Sequence, residues 1–378
     1  MRILHVTDGY APRVGGIEVF VEDLATRQAR AGHDVTVLTA TGAAGDDPDP
    51  SGVPVVRTPV TWRHPLAPPL ATRTALAGAY DVVHAHLSVL SPFATTVARA
   101  SDEAGIATVN TVHSMWASRA AVVRTTRAFA DWDRSTAAWT TVSRAAAADM
   151  RGLLRPGVPV SVVPNAVDVG WWRSEPGVTC GDGEVTLVSV MRLAGRKRPF
   201  AFLDILERVR AGLPDPVGLR AVVVGDGPLG QRLGHEIAGR GLDGVVALAG
   251  TLTRTQIRAL YRAADVYVAP AYQESFGIAA LEARAAGLPV VAMQSGGVGE
   301  FVEHGVEGVL CRDDDAMVRA LTTLAADARW RAAIARHNAA HPPVHDWPLT
   351  LRAFDDVYRQ VRRGRDARRR GVPVGEGG

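Results

Sequence analysis

Short apolar runs alternate with amphipathic stretches from one end of the chain to the other. RILHVT (Arg2 to Thr7) predicts a buried strand, and apolar residues at helical spacing predict a helix from Gly16 to Ala31. DVTVLTA (Asp34 to Ala40), PVVRT (Pro54 to Thr58), DVVHAH (Asp81 to His86), ATVNTV (Ala107 to Val112) and SVVP (Ser161 to Pro164) predict further strands, most of them separated by helical patterns. A second series follows Asp168: VTLVSVM (Val185 to Met191), LRAVVVG (Leu219 to Gly225), GVVALAG (Gly244 to Gly250), DVYVAP (Asp265 to Pro270) and LPVVAM (Leu288 to Met293). Strands alternating with helices make parallel sheets, because each crossover has to cover a sheet face. The pattern therefore predicts an α/β fold of two doubly wound halves, joined by a polar, Gly-rich linker from Val169 to Glu184. A last amphipathic helix is predicted from Trp347 to Arg363, where Leu351, Phe354, Val357, Tyr358 and Val361 recur at helical spacing. With no strand after it, this helix is expected to pack across the two domains. The expected division is 1–168, 169–345, a helix over 346–363 and a disordered basic tail over 364–378.

Composition narrows the class. A chain of 378 residues with 47% hydrophobic content supports two or three cores and is not disordered. Two cysteines, Cys180 and Cys311, exclude a disulfide framework and a four-cysteine zinc site, and reduced thiols fit a cytoplasmic protein. The start, MRILHVTDGYAP, reads as a strand rather than a signal peptide, and no run approaches the roughly 18 apolar residues of a membrane span. Residues 1–170 hold 15 basic and 15 acidic side chains, 171–345 hold 19 of each, and 346–378 hold 8 and 5. The net charge of +3 thus belongs to the tail, where RRGRDARRR (Arg362 to Arg370) suits phosphates or peripheral contact with the anionic inner face of a membrane; a solvated, frayed end is the plainer reading. Nucleic acid is not an expected partner, since no basic stripe carries interleaved aromatics. The oligomeric state is not legible. One bias stands out: 41 arginines accompany a single lysine, Lys197, so that position either keeps a compact ammonium for a reason or keeps it by chance.

Ligands of doubly wound sheets bind beyond the carboxyl ends of the strands, and two such domains imply a cleft between them. The loops after strands therefore carry the chemistry. The first, DGYAPRVGGIEVF, has no G-x-G-x-x-G, and the chain has no G-x-x-x-x-G-K-[ST], which removes the main support for a dinucleotide dehydrogenase or a P-loop phosphotransferase. Gly15 and Gly16 open a helix there, equally readable as an anion-binding helix start or an ordinary turn. In SVMRLAGRKRP, Arg192 and Lys197 follow a strand and precede a helix, a fork and a point charge suited to a diphosphate. In PAYQESFGIAALEARAAGLPVV, Glu274 lies in a loop, Phe276 and Gly277 begin a helix and Glu282 falls on its second turn. Helix-start amides suit a phosphate, and carboxylates, which only accept hydrogen bonds, suit the hydroxyls of two sugar rings. Taken alone, both glutamates also fit solvated helix-start positions.

This last segment, with SGGVGE after it, resembles the donor-site signature of glycosyltransferase family 4. The likeness extends over nearly the whole chain through GGIEVFVEDLA, TVHSMW, VPNAVD, SVMRLAGRKRP and VVGDGP. It implies the GT-B fold, two Rossmann-like parallel-sheet domains with an interdomain cleft and a crossing C-terminal helix, the first domain on the acceptor side and the second binding the nucleotide sugar. It implies a retaining hexosyltransferase that uses a GDP- or UDP-linked sugar of mannose, glucose or N-acetylglucosamine type and a hydroxyl acceptor. By the resemblance Glu282 binds the ribose, Glu274 a donor-sugar hydroxyl, and Arg192 and Lys197 the diphosphate. The amides of Phe276 and Gly277 assist, with Gly15 and Gly16, and His113 contacts the transferred sugar. Asn165 and Asp168 belong to a hinge motif and are expected to be structural, and Ala166 stands where the family carries glycine.

With no D-x-D motif, no metal and no resident cofactor are expected; Arg192, Lys197 and helix amides would meet the leaving diphosphate's charge. The likeness supplies no carboxylate nucleophile, so same-face attack is expected, the departing phosphate taking the acceptor's proton. The rivals are a nucleotide-sugar epimerase, a pyridoxal-dependent phosphorylase and a non-catalytic nucleotide-sugar binder. The stretch Arg119 to Arg134, with Val122, Val123, Phe129 and Trp132, suits either a membrane surface or a packed core helix. His84 and His86, at a strand end, are expected to be merely satisfied.

Overall fold

The computed structural model describes residues 1–13, 15–42, 52–59, 69–130, 133, 137–173 and 183–370. It divides into two compact units: residues 1–165 together with 348 onward, and Ala166–Trp347.

The first unit carries strands β1 (Arg2–Thr7), β2 (Asp34–Thr39), β3 (Val55–Arg57), β4 (Val82–Leu87), β5 (Ala107–Val112), β6 (Ala138–Thr141) and β7 (Val160–Val162). They form one sheet in the order β3-β2-β1-β4-β5-β6-β7, and every pairing is parallel. The order reverses between β1 and β4. The helix Gly16–Arg30 shows why it sits where it does: Phe20, Val21, Leu24, Ala25 and Gln28 make its buried stripe, Glu18 lies in its first turn, and Arg27 and Arg30 lie in its last. Gln28 is a polar residue on that apolar stripe.

The two faces of this sheet differ. Leu4, Val6, Val83, Ala85 and Leu87 join the apolar core with Phe93, Val97 and Trp139. The opposite face holds His5, His84, His86, Thr111 and Thr140, brought level by the registers His5 to His84, His86 to Thr111 and Thr111 to Thr140. Phe20 and Gln28 of the first helix cover it together with Phe354 and Tyr358 of the C-terminal helix. That helix runs from Trp347 to Arg369, six residues past the expected end, and belongs to the first unit from Pro348 onward. Its Thr350 hydroxyl donates to Pro164 O at 3.0 Å, and Arg362 pairs with Asp81 at 3.2 Å. Residues 371–378 of the expected tail lie outside the described residues.

The second unit carries β8 (Glu184–Val190), β9 (Gly218–Val224), β10 (Val246–Gly250), β11 (Val266–Ala269), β12 (Val290–Met293) and β13 (Gly308–Cys311). The order is β10-β9-β8-β11-β12-β13, again all parallel, with the reversal between β8 and β11. The expected linker begins as structure. Asp168 Oδ1 accepts from Trp171 N at 2.9 Å and caps the short helix Val169–Trp172, whose Trp172 packs 5.6 Å from the Tyr261 ring. The bulk of the expected linker, 174–182 with Cys180, lies outside the described residues. Of the membrane-suited stretch, Val123 is part of the first unit's core, while Trp132 and the Phe129 side chain lie outside the description. Among the described residues no helix is long and apolar enough to cross a membrane.

Candidate functional site

In the second unit, four loops at the carboxyl edge of the sheet are held together by glycines. Gly225 and Gly227, after β9, press against the segment after β8: a Cβ would lie 2.0 Å from Met191 O at the first and 2.5 Å from Leu193 O at the second. Gly296 and Gly297, after β12, press against the loop after β11, where a Cβ would lie 2.6 Å from Glu274 O and 2.4 Å from Ser275 O. Gly297 N donates to Glu274 O at 2.8 Å. These contacts are backbone against backbone, so only glycine allows them. Gly297→Ala is expected to lower stability by about 1–3 kcal/mol, because the Glu274–Phe276 loop has to move. A melting temperature equal to wild type would show that the loop yields freely.

The reversal between β8 and β11 brings the expected residues together. Lys197 ends a single 3-10 turn, Gly195–Lys197, after β8, and its ammonium donates to Glu274 Oε2 in the loop after β11. The sequence gave these two residues separate tasks; the fold makes them an ion pair, largely shielded from solvent. Arg192 is exposed and forms no ion pair among the described residues. Phe276 is fully buried against Phe301, with ring centroids 5.2 Å apart, and so fixes the turn into the helix Ile278–Ala285. Gly277 caps that helix in the left-handed region, φ 95°, with no side chain over the helix start. Glu282, on the second turn, is buried. The Tyr267 phenol lies beside both carboxylates: burial first, then the charges of Glu274 and Glu282, push its pKa well up, and its hydroxyl donates to Val190 O at 3.4 Å. A buried phenol shared by the two glutamates is a feature the sequence did not announce.

Next to Lys197 stands a brace that was also missed. Arg198 adopts φ 60°, the left-handed region, at a cost of about 1 kcal/mol or more for a residue with a side chain. Its guanidinium grips Asp314 with two bonds of 2.8 and 2.7 Å, donates to Pro270 O at 3.0 Å and lies 4.2 Å from the centroid of the Tyr272 ring. The fork holds the turn that aims Lys197.

The first unit holds the other expected residues. Gly15 precedes and Gly16 opens the helix after β1, and Val14 lies outside the described residues. The Glu18 carboxylate folds back over this turn: a Cβ on Gly15 would be 2.3 Å from Glu18 Oε2. Glycine there makes room for the protein's own acid, which pairs with Arg13 at 3.3 Å. Asp8 accepts from Phe93 N and Ala94 N at 3.1 and 3.0 Å, and burial lifts its pKa to about 6 against the pull of those amides.

His113 follows β5, its backbone N–H bonded to Leu87 O at 2.9 Å. Its imidazole is buried, which pulls the pKa down to about 3 and keeps it neutral. It is the end of a connected chain. His113 Nε2 lies 3.0 Å from His86 Nδ1, His86 Nε2 lies 2.9 Å from His5 Nδ1, and His5 Nε2 lies 2.7 Å from Gln28 Oε1. Gln28 continues to the Tyr358 hydroxyl, which meets His84 Nδ1 at 2.7 Å; His84 Nε2 meets Thr111 Oγ1 at 2.6 Å. His84 and His86 are thus satisfied, as expected. His5, His84 and His86 are the group whose donor atoms lie close enough together to hold a metal, among the described residues. Each of those nitrogens already faces a hydrogen-bond partner, so a metal there would have to displace the chain.

Comparison with known proteins follows the same two halves. Residues 14–171 match the family model described as glycosyltransferase family 4, and residues 177–340 match glycosyl transferases group 1. A glycogen synthase of Mycobacterium tuberculosis (strain H37Rv) is 30% identical over 419 residues, covering 100% of this chain and 99% of that protein. A D-inositol 3-phosphate glycosyltransferase of Salinispora tropica is 30% identical, covering 91% of this chain and 80% of that protein. Among solved structures, Anabaena Alr3699/HepE in complex with UDP superposes with TM-score 0.75 at 23% identity, covering 95% of this chain and 100% of that one. Sucrose-phosphate synthase of Thermosynechococcus elongatus gives 0.73 at 18%, covering 96% and 100%. These two likenesses speak for the fold alone.

Proposed function

The chain belongs to glycosyltransferase family 4 and is a glycosyltransferase, and on that premise we propose that it moves a hexosyl group from a nucleoside diphosphate sugar to a hydroxyl acceptor with retention and without a metal. The observation that carries this reading is the meeting of Lys197 with Glu274 at the reversal of the second sheet, beside an open helix start and the buried Glu282. Carboxylates that only accept bonds fit ribose and sugar hydroxyls; the ammonium, Arg192 and the amides of Phe276 and Gly277 fit a diphosphate.

In this reading the bond between the anomeric carbon and the phosphate oxygen breaks while the acceptor oxygen bonds to the same face of that carbon. The acceptor's proton passes to the departing phosphate oxygen. The barrier falls because the growing phosphate charge meets donors already in place. Gly15 and Gly16 would let the donor approach the first unit's backbone, with Glu18 biasing that approach toward hydroxyls rather than phosphate. His113 would touch the transferred sugar. HepE was solved with UDP and with UDP-glucose, which makes these the first probes, with GDP-mannose beside them.

Calorimetry tests the division of labour. Glu282→Ala is expected to weaken bare UDP or GDP by about tenfold or more, the loss of charge-assisted bonds. Glu274→Ala is expected to spare the bare nucleotide and weaken only the complete nucleotide sugar. The opposite pattern would exchange the two roles, and no binding of any nucleotide to wild type would end the reading. Titrations and turnover run in EDTA are expected to match those without it; activity lost to EDTA and restored by magnesium or manganese would refute the metal-free step.

A further inference from the structure

Each imidazole of the buried chain has one way to satisfy both of its neighbours. Gln28 Nε2 donates to the Tyr358 hydroxyl at 3.1 Å, which turns Oε1, an acceptor only, toward His5 Nε2 at 2.7 Å. His5 Nε2 therefore carries the ring proton and His5 Nδ1 accepts. His86 Nε2, 2.9 Å away, donates to it, which makes His86 Nδ1 an acceptor in turn. His113 Nε2, 3.0 Å from that atom, has to donate. The outcome at His113 is fixed 81 residues away in sequence from where His86 meets His5, and beyond that by a tyrosine of the C-terminal helix.

The surroundings leave the chain no other supply of protons. His5, His86 and Gln28 are almost wholly buried, and the rings stack, His5 on His86 at 5.2 Å and His86 on His113 at 5.3 Å. Burial pulls His5 to about 4 and His86 well below its ordinary value, so the rings are neutral near pH 7. Neutral imidazole presents one donor and one acceptor, and a neighbour on one nitrogen dictates the other. Phe20 closes the side of His113 at 5.2 Å and Phe354 the side of His84 at 5.0 Å.

We infer that His86 and His5, anchored through Gln28 on Tyr358, are positioning residues that hold His113 as its Nε2–H tautomer and present its Nδ1 as the acceptor for a hydroxyl of the reacting sugar. The inference rests on the proposed contact between His113 and that sugar. The other tautomer would present a donor instead, and the sugar hydroxyl would have to reverse its own bond. The chain thus spans the sheet from β1 to the end of β5 and ties the C-terminal helix to the tautomer of His113, without any member but His113 touching substrate.

The test is the tautomer itself, read from long-range proton–nitrogen spectra of protein labelled with 15N in the imidazole rings. Wild type is expected to show His113, His86 and His5 all as Nε2–H. His86→Phe keeps a ring in place and removes the acceptor, so His113 is expected to become a tautomer mixture. Its kcat is expected to fall about tenfold, the worth of one neutral hydrogen bond, with KM for the donor nearly unchanged. His86→Asn restores an acceptor near the Nδ1 position and is expected to recover both the tautomer and most of kcat. Tyr358→Phe, at the far end, breaks the anchor without touching the rings and is expected to give the same change in smaller degree. His113 found as Nδ1–H in wild type, the direction set by a Gln28 amide turned the other way, would overturn the inference. So would an unchanged tautomer in His86→Phe and Tyr358→Phe, or an equal loss of kcat in His86→Phe and His86→Asn. The spectra need no substrate, so a wild type without transferase activity would end the functional reading and still leave the chain tested.

Discussion

Acidifying the protein from about pH 7.5 to about pH 5 is expected to destabilise the first unit by about 3 kcal/mol or more. In the folded chain burial holds His5 at about 4 and His113 at about 3. In an unfolded chain both titrate near about 6.5. Between those values the unfolded chain binds protons that the folded chain refuses, so stability is full above the unfolded value and is lost as pH falls. At about pH 5 each ring has lost roughly 1.5 pK units of advantage, about 2 kcal/mol apiece. His84 and His86 shift in the same direction, by burial first and by their neighbouring rings second. Asp8 opposes them. Its folded pKa of about 6 lies above the unfolded carboxylate range, so it takes up its proton first in the folded state and returns about 1 kcal/mol over the same interval. A whole domain is held by only about 5–15 kcal/mol, which makes the balance a large fraction. Hydrogen exchange reads it locally: corrected for intrinsic rates, protection of the most stable amides in β1, β4 and β5 is expected to fall by about two orders of magnitude. In the second unit burial lowers the pKa of His345, which is only partly buried, so β8 and β11 are expected to lose less. An equal loss in both units would assign the effect to general charge, and unchanged protection in the first would mean that its histidines titrate while folded.

What could be read from the sequence divides along physical lines. Long apolar runs bounded by turns gave their strands, because a strand buried on both faces has no competing pattern. Two strands escaped. AWTT of β6 is four residues inside a run of Ala, Thr and Arg with no period of its own, and GVLC of β13 is a four-residue edge strand. The C-terminal helix overran its expected end because a cluster of arginines reads as a frayed tail, whereas Arg370 N still bonds Asp366 O at 3.2 Å. At the site, Arg192, Lys197, Glu274 and Glu282 were legible as residue types after strand ends. The bond between Lys197 and Glu274 was not, since 77 residues separate them and only the strand order makes them neighbours. His84 and His86 announced one shared face by their spacing of two. That His5 and Tyr358 complete the same face depends on sheet register and on where the last helix docks, neither of which is written locally.

Replacing Lys197 is expected to cost the enzyme about one to two orders of magnitude in kcat/KM for a nucleotide sugar, the worth of roughly 1.5–3 kcal/mol for a charge-assisted bond to the leaving group. The ion pair sharpens this. Lys197→Ala also leaves the Glu274 carboxylate, largely shielded, without its cation, at the place where a diphosphate would arrive. Glu274→Ala leaves an ammonium, which a diphosphate welcomes. The double variant is therefore expected to lose less than the two single losses combined, because removing Glu274 removes the repulsion that Lys197→Ala exposes. Lys197→Arg is expected to lose activity as well: a planar fork needs a different approach from a compact ammonium, and the neighbouring Arg198 is already committed to Asp314. The composition allows the same question to be put to unaltered protein. With one lysine in the chain, an amine-selective acylating reagent has Lys197 and the α-amine as its targets. Acylation removes the ammonium's charge, so it is expected to inactivate, and UDP or GDP is expected to slow modification and inactivation in parallel. Peptide mass mapping with and without nucleotide, beside residual activity, decides it. Complete acylation of Lys197 with activity intact would make it a surface residue held by Glu274, and strictly additive losses in the double variant would mean that pair and substrate do not compete.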